Sequence, residues 1–185
     1  MLKRVTPPVD QPLSLTQVRD HLRLTVVDDD PVLTGLIAAA CDMCEAQTGR
    51  ALMPQEWAVT ESEQCRFIYL RKLPVTAITS VKHIDDYGDE LAIDPAEYRL
   101  TNPSDSAPAW VEFSEDAAIP AGGILRVVFA CGYTDVDAVP QALKQWMLLQ
   151  IGHWYMNRES VNIGNITSLL PYVDGLLDTY RIWNL

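Results

Sequence analysis

Cys41 and Cys44 stand at the C-x-x-C spacing that gives redox proteins a dithiol and zinc sites half of a ligand set. Cys65 and Cys131 are the other two thiols, so four ligands for one metal are at least present in number. The surrounding residues argue for a blander role. Both cysteines lie inside Asp30–Leu52, DPVLTGLIAAACDMCEAQTGRAL, whose apolar positions recur at helical spacing. In mid-helix the pair is remote from the helix N-terminus that depresses a thiol pKa, and a buried cysteine behaves there as a small apolar residue. Reduced thiols and no bound metal are the expectation.

The other polar clusters are equally poor in chemistry. His21, His83 and His153 are far apart, and none stands in an H-E-x-x-H frame. Asp28, Asp29 and Asp30 could hold a divalent cation, yet helix capping accounts for Asp30. Asp85 to Glu90 lacks the D-x-D-x-D-G order and distant Glu of a calcium loop, and reads as a hairpin tip. Gly122-Gly123 precedes a strand and has no following Lys-Ser/Thr, so it is no phosphate loop. Ser14, Ser104 and Ser168 are outside any G-x-S-x-G elbow. No catalytic residue and no cofactor is expected. The enzymatic rival, a small metal or redox protein built on Cys41 and Cys44, is the least favoured reading.

If the residues do no chemistry, the elements that carry them become the subject. Asp30, Pro31 and Gly49 mark the start and end of a helix, with Leu33, Leu36, Ile37, Ala40, Cys41, Cys44 and Thr48 on its buried side. Thr34, Asp42, Glu45 and Gln47 are left for water, and Gly35, Ala38 and Ala39 make room for another backbone. Ser14 opens a shorter amphipathic helix that should pair with it. Between Gly49 and Asp137 the pattern turns to β-like runs: Trp57–Glu61, Arg66–Leu70, Ile78–Ile84, Tyr98–Thr101, Trp110–Phe113 and Ile124–Ala130, with a hairpin at Asp85–Asp89. From Asp137 helical spacing returns. One stripe runs through Leu143, Trp146, Met147, Gln150, Ile151 and Trp154, and a second through Ala142, Leu149, His153 and Met156. Such an arc is wider than one buried side requires: the helix is either buried between the first helix pair and the sheet, the commoner case for a central helix, or turns one face to a neighbouring subunit. The last segment carries Trp183, a residue type enriched in interface anchors, and either folds onto its own domain or docks into a partner.

The expected fold is therefore α+β: a mainly helical body of two N-terminal helices, a long C-terminal helix and a short terminal helix, with an inserted antiparallel β region. In one domain, 1–13 is an extended arm, 14–52 the helix pair, 53–134 the β insertion, 137–159 the long helix and 166–185 a docking tail. The chain of 185 residues has 48% hydrophobic residues and a net charge of −11. That balance opposes gripping a polyanion through its phosphates but suits a wall past which DNA slides. Prolines 7, 8 and 12 break any apolar leader, and no run approaches the ~18 residues of a membrane span. A reduced, cytoplasmic product is expected.

The serial motifs resemble a known family. L-S-L-x-x-V-R-x-H-L-R-L, D-D-x-x-L-x-x-L-I-x-A-A from Asp29 and E-x-x-T-G-R-A-L from Glu45 are similar to phage head-tail connector (adaptor) proteins of the gp6-like class, and more closely to the phiE125 gp8 type. Met53–Trp57, Asp94–Arg99, Cys131–Tyr133, Val139-Pro140, Leu143–Gln145, Gly152–Tyr155 and Asn157–Glu159 continue the match in order. The resemblance implies a homo-oligomeric ring, twelve-fold in such connectors, under the portal protein of a virion. It would extend the DNA channel, without sequence-specific binding or a membrane, and receive a neck stopper or tail component. Assembly would take place in the host cytoplasm. On that reading Trp146, Leu149, His153 and Trp154 form the subunit interface. Tyr172, Leu176, Leu177, Tyr180, Arg181, Ile182 and Trp183 form the portal-docking tail. Another neck part, a stopper or tail-completion protein, is the structural alternative.

Overall fold

The computed structural model describes residues 1–62, 65–105, 107–157 and 175–182. Two compact units are each assembled from separated stretches: a sheet unit of 1–9 and 49–134, and a helical unit of 10–48 and 135–185. The mainly helical expectation is overturned, because about 31% of the described residues are helical and about 30% are in strands.

Among its described residues the sheet unit holds eight strands: β1 (Leu2–Thr6), β2 (Gln55–Ser62), β3 (Phe67–Leu70), β4 (Val75–Ile84), β5 (Glu90–Ala92), β6 (Tyr98–Thr101), β7 (Ala109–Phe113) and β8 (Ile124–Cys131). They form two antiparallel sheets, ordered β1-β2-β8-β4-β5 and β3-β7-β6. The expected arm contributes the edge strand β1, pairing Leu2 with Val59. The central strand of each sheet, β8 in one and β7 in the other, buries alternate residues, as the two-residue pleat demands. Leu125, Val127, Phe129 and Cys131 of β8 and Ala109, Val111 and Phe113 of β7 point inward. At ~1.5–3 kcal/mol for each large apolar side chain buried, these faces hold the unit together.

Two details fasten this unit. Gly132, at φ +111°, lies so close to Met53 that a Cβ would collide with its carbonyl. Arg50, buried, donates to Tyr133 Oη at 3.1 Å and to Asp105, and Tyr133 donates to Asp105 at 3.2 Å. Arg50 and Tyr133 stand just inside the two ends of the 49–134 stretch, so their bond pins those ends together.

The helical unit has α1 (Leu15–Leu22), α2 (Asp30–Thr48), α3 (Gln141–Met156) and the single turn α4 (Gly175–Asp178). Ser14 and Gln17 form a reciprocal capping box on α1, and Arg23 closes it in the left-handed conformation. On α2 the buried positions are Leu33, Ile37, Ala40, Cys41, Cys44, Glu45 and Thr48. Glu45, expected in water, is thus inside, while Gly35 faces open space rather than another backbone. Asp30 does not cap α2 with its side chain. Its carboxylate accepts from Arg19 Nε at 2.7 Å, which ties α1 to α2.

Helix α3 is shorter than the expected 137–159. Asp135 Oδ1 accepts from Ala138 N at 2.9 Å in the turn before it, and Pro140 sits at its N-cap. Asn157 leaves helical geometry and its side chain donates to His153 O at 2.9 Å, closing the last turn. The longest helix is α2, with 19 residues against 16 for α3.

Candidate functional site

The thiols were the first candidate for chemistry, and their surroundings make them inert. Cys41 and Cys44 are buried on the inner side of α2, and desolvation, followed by the charge of Glu45, pushes the Cys44 thiol up to about 12. A thiol so protonated is neither a nucleophile nor a ready metal ligand at neutral pH. Cys131 is buried on β8 and Cys65 is exposed. Among the described residues no three His, Cys, Asp or Glu side chains gather as a metal site would require.

The acidic and histidine clusters have structural occupations. Asp29 accepts from Tyr155 Oη, joining the start of α2 to the end of α3, and Asp30 is held by Arg19. Asp85 accepts from the amides of Tyr87 and Asp89 at 2.9 and 2.8 Å, which builds the hairpin tip. His83 Nε2 lies 2.7 Å from Gly122 O, so the glycine pair is a strand-end turn against a buried histidine. A recess of about 480 Å³ at the β2–β8 end, lined by Pro54, Gln55, Glu56, Ala130 and Gly132, presents mostly apolar wall. Its one acid, Glu56, is held below the usual carboxylate range by hydrogen bonds from Thr6 and Thr79.

What is left is surface, and α3 carries an informative part of it. Leu143, Trp146, Met147 and Ile151 are buried within the protomer, with Trp146 at 0% exposure and its Nε1 unpartnered. The second stripe, and Trp154 at the end of the first, are not hidden. Leu149 and Trp154 are half-buried, His153 is exposed and Met156 is 77% exposed. Of the four residues expected at a subunit interface, three reach the surface and Trp146 does not.

The tail divides similarly. Leu177 is fully buried, and Ile182 N donates to Thr48 O at 3.0 Å, satisfying a carbonyl at the end of α2. Leu176, Tyr180, Arg181 and Ile182 are half-buried, and Arg181 pairs with Asp178 at 3.5 Å. Tyr172 and Trp183 lie outside the described residues. Sequence reasoning missed the Arg50–Asp105–Tyr133 cluster, whose members are 55 and 83 residues from Arg50 and share no local pattern. It also missed the outward aromatic row of Phe67, Tyr69 and Trp110, for which strand alternation was the available signal. Among the described residues no helix is long and apolar enough to cross a membrane.

With this arrangement in view the comparisons are coherent. No curated protein matches the chain. The fold is similar to a chain in the neck of an empty gene transfer agent particle computed with C6 symmetry, at TM-score 0.82 and 26% identity, covering 100% of this chain and 97% of that one. It is also similar in fold to a chain in the virion of a native gene transfer agent particle, at TM-score 0.82, 24% identity and the same coverage. A third likeness is to a chain in the neck of the native particle computed with C12 symmetry, at TM-score 0.79, 23% identity and the same coverage. The family model described as "Head completion protein" matches residues 12–181. This chain therefore belongs to the head completion protein family and is a structural head–neck component of a phage-like particle.

Proposed function

We propose that this head–neck component is the adaptor: copies form a ring beneath the portal, continue the DNA channel and present a platform to the next neck or tail part. The observation that carries the reading is the likeness, over the whole chain and at 26% identity, to a chain in a particle neck computed with C6 symmetry. Its physical support is the α3 surface. Leu149, His153 and Trp154 lie beside the exposed Met156, and an apolar stripe left open beside a filled interior is a subunit contact in waiting. Twelve copies is the number that the resemblance to gp6-like and phiE125 gp8-type connectors implies, and a matched neck chain comes from a particle computed with C12 symmetry.

Within the tail, Leu177 anchors the segment to its own protomer, and Leu176, Tyr180, Arg181 and Ile182 are the residues offered to the portal, with Tyr172 and Trp183 flanking them. The net charge of −11 repels packaged DNA, so the lumen lets it slide rather than holding it. The ring works by assembly, with no reaction to catalyse. Assembly would take place in the host cytoplasm before the particle is complete.

Mixing the purified protein with portal-bearing capsids and imaging the vertex tests the proposal. A ring of added density under the portal is expected. A chain lacking residues 180–185 should keep its melting transition to within a few degrees and lose that density. Attachment unchanged by the deletion would remove the tail from the docking role, and density that appears only after another neck part is bound would make this chain a stopper or tail-completion protein instead.

A further inference from the structure

Two exposed features of the sheet unit match one another and belong to no site above. One is the outward face of the three-stranded sheet. The register sets Phe67 opposite Glu112 and Glu112 opposite Arg99, and sets Tyr69 opposite Trp110. Phe67 and Tyr69 are 44% and 55% exposed, and the rings of Tyr69 and Trp110 are 6.1 Å apart. Arginines surround these rings. Arg66 lies over Phe67 at 5.7 Å, Arg99 bonds Glu112 at 2.7 Å, and Arg71 continues the outward row of β3 with no ion pair among the described residues. Glu97, Glu112 and Glu115 balance the three arginines in number, and with Arg66 paired to Glu115 and Arg99 to Glu112, Arg71 is the exposed cation this face has to offer an incoming carboxylate.

The other feature is the β4–β5 hairpin tip. Asp85 closes the turn by accepting from Tyr87 and Asp89, and Gly88 N donates to Asp85 O at 3.1 Å. The tip therefore holds Tyr87 out at 94% exposure between the exposed carboxylates of Asp86 and Asp89. A tyrosine on a tight turn has little conformational freedom left to lose on binding.

We infer that the Tyr87 hairpin of one copy docks on the Phe67–Tyr69–Trp110 face of the next, with Asp86 and Asp89 meeting Arg71. The inference rests on the ring reading and names a contact within it. A second copy is the occupant because the two surfaces are complementary in charge, aromatic on both sides and carried by one chain. Joining two different patches head to tail is the kind of contact that closes a ring. Tyr, Trp and Arg are also the residue types that dominate interface energetics.

Disulfide trapping between two variants tests it. In a Cys65→Ser background, chains carrying Tyr87→Cys and chains carrying Tyr69→Cys are mixed at high concentration and oxidised gently. A mixed dimer at least ~10-fold above that from Tyr87→Cys with Val5→Cys, a control on the same unit exposed to nearly the same extent as Tyr69, is the expected result. Adding Arg71→Glu to the Tyr69→Cys chain should cut the yield severalfold, and Asp86→Arg on the other chain should restore it. A yield no higher than the control, or one indifferent to the charge exchange, overturns the inference. Particle attachment is scored separately on the unmodified chain, so failure there strikes the adaptor reading and failure here strikes only the contact.

Discussion

In β8 every second residue is buried and the rest are half-covered, whereas α3 fills its inner side with Leu143, Trp146, Met147 and Ile151 and still leaves Leu149, Trp154 and Met156 wholly or partly in solvent. Strand periodicity gives a sheet two faces, so one can be wholly apolar and the other wholly wet. A helix has an arc, and an arc wider than its own unit can cover is left for something else. The lesson is that the strands of the larger sheet are spent on the fold, while α3 serves the fold and keeps surface in reserve.

The comparison breaks first if the sheet unit tolerates damage. Phe129→Ala empties a fully buried site in the central strand and should cost about 3–5 kcal/mol, read as a lower denaturant midpoint. Gly132→Ala puts a methyl against the Met53 carbonyl at positive φ and should cost upward of about 2 kcal/mol.

Alkaline titration sharpens it, because among the described residues each unit carries one group pushed to about 12. Burial raises Cys44 in the helical unit from 9.0 and Tyr133 in the sheet unit from 10.0. Folding favours the protonated form of both, so their contribution is intact below the unfolded values and falls as pH rises toward about 12. At ~1.4 kcal/mol per unit the losses by then are about 4 and about 3 kcal/mol. Cys44→Ala should remove the part of the decline that begins near pH 9, and Tyr133→Phe the part that begins near 10, in stability measured against pH.

Smaller effects complete the series. Met156→Ser with Leu149→Ser should change protomer stability by less than about 1 kcal/mol yet abolish ring density on capsids. Acid should weaken the sheet unit slightly. Glu56, Glu90 and Glu112 are held below 4.5 by Thr6, Lys82 and Arg99 respectively, so their contribution is present above that value and fades as pH falls through their lowered range. Glu90 is exposed and Glu56 and Glu112 are half-buried, each still within reach of solvent, so the change in midpoint is modest.

How far the sequence was legible follows from the range of the forces. The six strand runs, the hairpin at Asp85–Asp89 and the helix bounded by Asp30 and Gly49 appear near where local spacing and turn chemistry put them. β1 lies in the expected extended arm, and the strand it pairs with is remote in sequence, Leu2 lying opposite Val59. The division into two sheets depends on β8 running between β2 and β4, which periodicity does not encode. Helical spacing puts Glu45 beside the apolar stripe of α2, and only the elements packed around it turn that position inward. For the candidate site, the wide arc of α3 was visible in residue types, but which side turned inward was not. Trp146 and Met156 are alike in hydrophobicity and opposite in fate.

The interleaving of the two units has a consequence during synthesis. Leu33, Ile37, Cys41 and Cys44 of α2 emerge from the ribosome long before α3 can cover them, since residues 49–134 intervene. At translation speeds of ~5–20 residues per second that gap lasts roughly 4–17 s. For those seconds the nascent chain displays an uncovered greasy helix, and chaperone occupancy of ribosome-bound chains should peak there and fall once residue 156 is out.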